Sequence, residues 1–304
     1  MHNGGKRTVT DLPKISVVLP TFNGAAYLGE SLNSIVDQSF SSWELIVVDD
    51  GSTDTTPEII QEFVDRDSRI RQVRHTENRN LPIALNTGFS EAKGQYFTWN
   101  SDDNVYDQNA FQRLNDVLKR SDEIDIVYAD FDMIDAVGRR MRTVHCLPPQ
   151  ELPIRNGIGP CFLYRRSVQD KLSGYEENLH CAEDWDFWLR AFIAGFRFYH
   201  IGDNLYRYRD HDRSLTRSHR RMVQAASRKV LEKNLPSMQH LTSATRARCE
   251  YALSRRSCAL GEFRVGILQF ARACRTSPVA IFRDTFLIIF HRVLESAKKI
   301  LLMR

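Results

Sequence analysis

The sequence predicts an α/β protein with a mostly parallel sheet flanked by helices, followed by a smaller C-terminal helical region. Three apolar runs carry the prediction: Lys14-Ile15-Ser16-Val17-Val18-Leu19, Glu44-Leu45-Ile46-Val47-Val48 and Gln95-Tyr96-Phe97-Thr98-Trp99. Each gives way to a polar stretch of Asn, Asp or Gly, through Asn23, Asp49-Asp50-Gly51 and Asn100-Ser101-Asp102-Asp103-Asn104 respectively. Runs of this kind suit parallel strands covered on both faces. Apolar stripes at helical spacing separate them, the order expected of right-handed crossovers.

The elements follow in turn. After the first strand, Ala25 to Phe40 carries Tyr27, Leu28, Leu32, Ile35 and Val36 on one stripe, which predicts a helix. Past the second strand, Asp54 is read as the cap of a helix with Pro57 in its first turn and Ile59, Ile60 and Phe63 facing inward. A third unit comprises a short strand over Arg69 to Arg74, a helix over Pro82 to Ala92 and the strand running into Asp102. The polar ends of neighbouring strands therefore gather at one edge, where an open α/β sheet presents its ligand crevice. Adjacent carboxylates at Asp102 and Asp103 repel each other unless something relieves them, and they suit a hard divalent cation bound through oxygen. An Asp-Asp turn in a surface loop is the plainer alternative.

The ordered segments VVLPTFN, ELIVVDDGSTD, NTGFSEAKGQYFTWNSDDN, GYEE and CAEDWDFWLR resemble the family 2 glycosyltransferases, inverting enzymes of the GT-A fold that use a nucleotide-activated sugar. The similarity runs over roughly residues 14 to 212. It implies that Pro20, Thr21, Asn23 and Asp50 bind the base and ribose of the donor. Asp50 would accept a pyrimidine N–H, which favours a UDP-sugar. Gly51 permits close backbone approach at that turn, and Asp49 is read as orienting the loop. Asp103 would ligate Mn²⁺ or Mg²⁺, with Asp102 on the ribose or a metal-bound water. His211, in Tyr206-Arg207-Tyr208-Arg209-Asp210-His211, would be a further metal ligand or a donor to the pyrophosphate, and Arg209 a phosphate clamp, with a solvated basic loop as the plainer alternative. Two departures from the family pattern stand out: Asn100 replaces the first acid of the metal motif, and Ala84-Leu85-Asn86 lacks the usual Arg before Asn. Gly174-Tyr175-Glu176-Glu177 resembles the segment that shapes the acceptor pocket.

Inversion requires a base on the acceptor side, and Glu183-Asp184 meets that need. The pair opens a helix from Trp185 to Ala194, whose positive end is expected to keep Asp184, the predicted base, ionised, with Glu183 as its substitute. Simple N-capping by Asp184 is the competing reading. Trp185 is the candidate for stacking on a sugar, while Trp188 shares a helical stripe with Leu189, Phe192 and Ile193 and reads as core. His75, His145, His180 and His200 show no partner pattern and read as structural.

The 304 residues, 42% of them hydrophobic, are enough for one full α/β core and a smaller unit. A net charge of +4 is modest, and with no arginine-aromatic module the chain is not expected to bind nucleic acid. Six scattered cysteines show neither zinc nor disulfide spacing and suit a reducing compartment. The expected division is a disordered polar N-terminus over 1–13 without a signal-peptide core, the glycosyltransferase domain over 14–214 and the helical region over 215–304. Within the last, Tyr251-Ala252-Leu253, Cys258-Ala259-Leu260-Gly261, Phe263, Ile267-Leu268 and Ala271 read as one helical hairpin. Residues 279–304 combine an apolar face of Phe282, Phe286, Ile289, Phe290 and Leu294 with Arg283, Arg292, Lys298 and Lys299. That face suits a membrane interface, packing on the catalytic unit, or self-association into a homo-oligomer. The function expected is transfer of a sugar from a nucleotide-sugar donor to a hydroxyl of a saccharide or lipid-linked acceptor in bacterial surface polysaccharide synthesis. The setting expected is the cytoplasm or the inner face of the membrane. A catalytically inactive sugar-nucleotide-binding protein is the alternative, and the absence of G-x-G-x-x-G after the first strand disfavours a dehydrogenase.

Overall fold

The computed structural model describes residues 12–214, 217 and 220–285. Residues 1–11 of the N-terminal segment predicted over 1–13 and the stretch 286–304 of the predicted amphipathic tail lie outside them. Strand β1 (Ile15–Thr21) is entirely buried, as is β2 (Trp43–Asp49), because helices cover both faces of the sheet there. Helices α1 (Leu28–Val36), α2 (Thr56–Arg66) and α3 (Leu81–Glu91) connect β1, β2, β3 (Ile70–Arg74) and β4 (Tyr96–Trp99). Helix α1 is shorter than its apolar stripe, and Asp54 stands just ahead of α2, where its Oδ1 accepts the Thr56 N–H at 3.0 Å.

The remaining elements are β5 (Val105–Tyr106), α4 (Ala110–Arg120), β6 (Ile126–Ile134), β7 (Arg140–Val144), β8 (Phe162–Arg165), α5 (Arg166–Leu172), α6 (Glu183–Ile193) and β9 (Phe198–Arg209). The strand order is β3-β2-β1-β4-β8-β6-β9-β5, with β7 paired to β6. Pairing is parallel from β3 to β4. Beyond β4 it turns antiparallel at β8, and only β6 and β9 run parallel again. The expectation of a mostly parallel sheet thus holds for the first half, and the whole is a mixed α/β sheet. Because β2 lies on one side of β1 and β4 on the other, the chain changes direction across β1. A crevice opens at the carboxyl ends of β1 and β4.

Helices α7 (Arg220–Asn234), α8 (Ser243–Ala259) and α9 (Phe263–Thr276) follow, and residues 278–285 are helical. Val230 and Leu231 of α7 and Leu253 of α8 join the core cluster that holds Phe162, Trp185 and Trp188. Polar ties reinforce the seam: Asn234 Nδ2 donates to Asp186 Oδ1 at 2.8 Å and Arg248 meets Glu151 at 2.8 Å. The helical hairpin forms from α8 and α9, but Phe263, Ile267 and Leu268 face outward and Gly266 and Ala273 face inward. Among the described residues, no helix is long and apolar enough to cross a membrane.

Candidate active site

A cavity of about 830 Å³ opens where the strand ends diverge. It gathers nine of the eleven predicted site residues: Pro20, Thr21, Asn23, Asp50, Asp102, Asp103, Glu183, Asp184 and His211. Backbone geometry explains much of its shape. Gly51 turns at φ 83° against the backbone of Glu77. Asn23 Oδ1 accepts the Thr53 N–H at 2.9 Å, which joins the loop after β1 to the loop after β2. Asp49 Oδ1 accepts the Ser52 N–H at 2.8 Å, the loop-orienting role read for it. Asp50 Oδ1 meets His75 Nδ1 at 2.6 Å and accepts the Arg79 N–H at 3.0 Å. His75 reaches Thr87 Oγ1 through its other nitrogen at 3.0 Å, so it has the partners that its sequence neighbourhood did not reveal.

The paired carboxylates differ in environment. Thr21 Oγ1 donates to Asp102 Oδ2 at 2.6 Å, and a Cβ on Gly24 would stand 2.1 Å from the same oxygen. Burial, followed by the neighbouring charge of Asp103, pushes the Asp102 carboxyl up to about 7. Asp103 Oδ2 lies 2.9 Å from His211 Nε2, while Asp103 Oδ1 is buried without a hydrogen-bond partner. The 2.9 Å separation is that of a hydrogen bond, and it also lies near the roughly 3.0 Å between adjacent ligands of an octahedral ion bound at about 2.1 Å, so little movement would let both residues hold a divalent cation. The orphaned oxygen points the same way.

Asn100 is fully buried and belongs to the scaffold. Its Nδ2 donates to Ser31 Oγ at 2.8 Å and to the Asn104 carbonyl at 3.3 Å, and its Oδ1 accepts the Tyr206 hydroxyl at 2.5 Å. The side chain must both donate and accept, which an ionised carboxylate cannot do.

At the start of α6, Asp184 Oδ2 accepts from Asn156 Nδ2 at 2.6 Å and its Oδ1 accepts the Trp185 N–H at 2.6 Å. Glu183 is buried with Oε2 unpartnered. Burial and then the Asp184 charge push Glu183 up to about 8, and burial raises Asp184 as well, against its two donors. Desolvation thus opposes the helix terminus at both carboxyls, and most at Glu183.

Two expectations are corrected. Trp185 is buried away from the cavity, where its Nε1 donates to the Leu152 carbonyl at 2.8 Å and the Arg256 guanidinium lies 4.7 Å from its ring centroid. It cannot stack on a sugar there. Arg209 is also buried: it pairs with Glu30 at 2.5 Å, donates through Nε to the Asp103 carbonyl at 2.9 Å and covers the Tyr27 ring at 4.6 Å. It therefore positions the Asp103 loop and is not open to a phosphate. Asn86 holds the Gly174-Tyr175 turn, with its Oδ1 taking the Tyr175 N–H and its Nδ2 donating to the Tyr175 carbonyl, both at 2.8 Å.

Sequence reasoning missed Asn156, Trp99 and Arg213 on the cavity wall, and His180, read as structural, also lines it. Trp99 had a signal in standing next to Asn100 at a strand end, whereas Asn156 lies 28 residues from the aspartate it holds and had none.

Beside the cavity wall, Asp130 stands 2.6 Å from both His145 Nδ1 and His200 Nε2, and its Oδ1 accepts the Cys146 N–H at 2.8 Å. Two ligands of one zinc at about 2.0–2.2 Å would stand about 3.3 Å apart. The separations are instead those of hydrogen bonds, and the cluster braces β6, β9 and the segment after β7.

Comparison with known proteins bears on the family and the fold. The sequence profile described as glycosyl transferase family 2 matches residues 16–173. An uncharacterized glycosyltransferase of Rickettsia prowazekii is 29% identical over 203 residues, 62% of this chain and 62% of that protein. The chain therefore spans a little under two thirds of that relative. Among solved structures, residues 1–349 of S. aureus TarS in complex with UDP-GlcNAc match with a TM-score of 0.63 at 19% identity, covering 86% of this chain and 81% of that one. The mannosyltransferase PcManGT of Pyrobaculum calidifontis, in complex with GDP-Man and Mn²⁺, matches with a TM-score of 0.62 at 18% identity over 91% of this chain and 80% of that one. These two likenesses concern the fold, which is of the GT-A type. With the profile covering more than half of the sequence, the chain belongs to glycosyl transferase family 2.

Proposed function

We propose that the protein is an inverting, metal-dependent glycosyltransferase that moves a sugar from a nucleoside diphosphate donor, a UDP-sugar first, to a hydroxyl of a saccharide or lipid-linked acceptor. The setting proposed is bacterial surface polysaccharide synthesis in the cytoplasm. Residues 14–214 would carry the reaction and 215–304 would form its helical annex. The observation that carries the reading is one cavity lined by both a cation-competent pair, Asp103 and His211, and a carboxylate held by two donors, Asp184. In support, one structural neighbour was solved with a UDP-sugar and another with a GDP-sugar and Mn²⁺.

The donor's base would lie against Pro20 and Asp50, with Asp50 Oδ1 fixed by His75 so that Oδ2 meets a pyrimidine N–H. Asp103 and His211 would hold Mn²⁺ or Mg²⁺, which when bound neutralises charge on the diphosphate. The acceptor hydroxyl attacks the anomeric carbon from the face opposite the diphosphate, and its proton passes to Asp184. Glu183, kept neutral by burial, leaves Asp184 free to be the charged member. Trp99 replaces Trp185 as the aromatic wall. The reading without catalysis rests on Asn100, and its place in the buried network explains that residue without any loss of turnover.

The test is a thermal-shift screen of UDP, GDP, dTDP and their sugars with Mn²⁺ or with chelator. Binding to the native state alone adds stability by mass action, about 2.7 kcal/mol at a hundredfold excess over Kd. A UDP compound should raise Tm in Mn²⁺ more than in chelator, and Asp103→Ala should erase the difference. A metal-dependent shift that survives in Asp103→Ala removes Asp103 from the site.

A further inference from the structure

Among the described residues, large exposed apolar side chains are most concentrated on α9 and the stretch just after it. At about 100° per residue, Gly266 and Ala273 share one side of α9, and both are buried. Ser254 Oγ of α8 donates to the Gly266 carbonyl at 2.7 Å on that side. Around the rest of the helix Phe263, Ile267 and Leu268 are exposed to 64%, 65% and 69%, spread over about 140° of its circumference, and Val279 beyond its end is exposed to 80%. Three large apolar side chains on two turns of one helix form a patch of the kind that marks an interaction site.

Charge selects the partner. From Phe263 to Arg283 the sequence has four arginines, at 264, 272, 275 and 283, and no acid. Neighbouring acids are already engaged: Glu262 meets Arg228 at 2.5 Å, Glu250 meets Arg272 at 3.0 Å and Asp284 meets Arg248 at 2.8 Å. Arg264 and Arg275 are exposed on the side away from Gly266 and Ala273, between the directions of Ile267 and Leu268, and neither has an ion-pair partner among the described residues. A second copy seated on this face would bring the same arginines together, and like charges oppose that arrangement. A surface that is apolar below and anionic above satisfies both features.

We propose that α9 docks the protein on an anionic lipid bilayer, with Phe263, Ile267 and Leu268 entering the interface and Arg264 and Arg275 meeting lipid phosphates. The proposal moves the membrane contact expected over 279–304 upstream, and it rests on the fold of α8 and α9, independently of catalysis.

The full chain is to be sedimented with vesicles of phosphatidylcholine alone and of phosphatidylcholine with phosphatidylglycerol. The parent should partition onto the anionic vesicles only, and less in high salt. The double variant F263S/I267S and the double variant R264E/R275E should each lower partitioning at least about tenfold. Both should keep the parent's melting temperature and nucleotide-induced shift, which shows that the fold and the donor site are intact. No binding by the parent, or undiminished binding by both variants, overturns the proposal. So does a parent dimer, seen by light scattering, that F263S/I267S converts to monomer without any change in vesicle binding.

Discussion

Asp184 accepts two hydrogen bonds and borders the cavity, whereas Glu183 beside it is buried with an unpartnered oxygen. Two carboxyls in such different surroundings divide the charge between them unequally. Asp184 is not the cap of α6, and Asp184→Asn keeps an oxygen for the Trp185 N–H, so the fold should lose no more than roughly 1 kcal/mol. A general base contributes about 10² to 10⁴ in rate. Sugar transfer by Asp184→Asn should therefore fall at least about a hundredfold with nucleotide binding retained, and transfer within a few-fold of the parent would place the base elsewhere. Glu183 makes a separate prediction through pH. Its folded value is raised from 4.5 to about 8, so the folded state holds a proton that the unfolded chain releases. That contribution to stability is complete below about 4.5 and is lost as pH rises through about 8. Melting curves of Glu183→Gln should accordingly fall less between pH 5 and pH 8 than those of the parent. Parallel curves for the two proteins would show that Glu183 is ionised throughout.

Among the elements, the turn after β4 shows how far sequence patterns reach. The apolar run, its polar end and the two carboxylates were legible, because all lie within ten consecutive residues, Gln95 to Asn104. The meaning of Asn100 was not, since its partners Ser31 and Tyr206 lie 69 and 106 residues away. Arg209 was misread as a phosphate clamp for the same reason: its partner Glu30 is 179 residues distant. The structure gives Asn100 a definite task. Asn100→Asp would set a carboxylate oxygen against the Asn104 carbonyl and the lone pairs of Ser31 Oγ, leaving buried groups unmatched at about 1–3 kcal/mol. The variant should therefore melt lower than the parent and gain no affinity for Mn²⁺, as isothermal titration would show. Tighter metal binding would mean that position 100 belongs to the ion's coordination after all.

Across the whole molecule, the parallel half of the sheet could be read because its strands are buried on both faces, while β6 to β9 could not. β7 carries exposed Arg140, Met141 and Arg142, and β9 alternates irregularly between buried and exposed positions, so neither presents an apolar run. The helical region could be recognised as helical, but not its attachment. Val230, Leu231, Met238, Cys249 and Leu253 share one core with Trp185 and Trp188, and Arg256 donates to the Ile154 carbonyl at 3.0 Å while covering the Trp185 ring. A boundary near residue 214 thus divides the sequence without dividing the core. Fully burying a large apolar side chain is worth about 1.5–3 kcal/mol, so removing Val230, Leu231, Met238 and Leu253 would forfeit an amount comparable with the 5–15 kcal/mol that holds a typical domain. A chain ending at residue 214 should therefore lose its cooperative thermal transition and bind a dye for exposed apolar surface. A truncated chain that melts sharply within a few degrees of the parent would show that 14–214 is stable alone and that α7 and α8 dock on a finished domain.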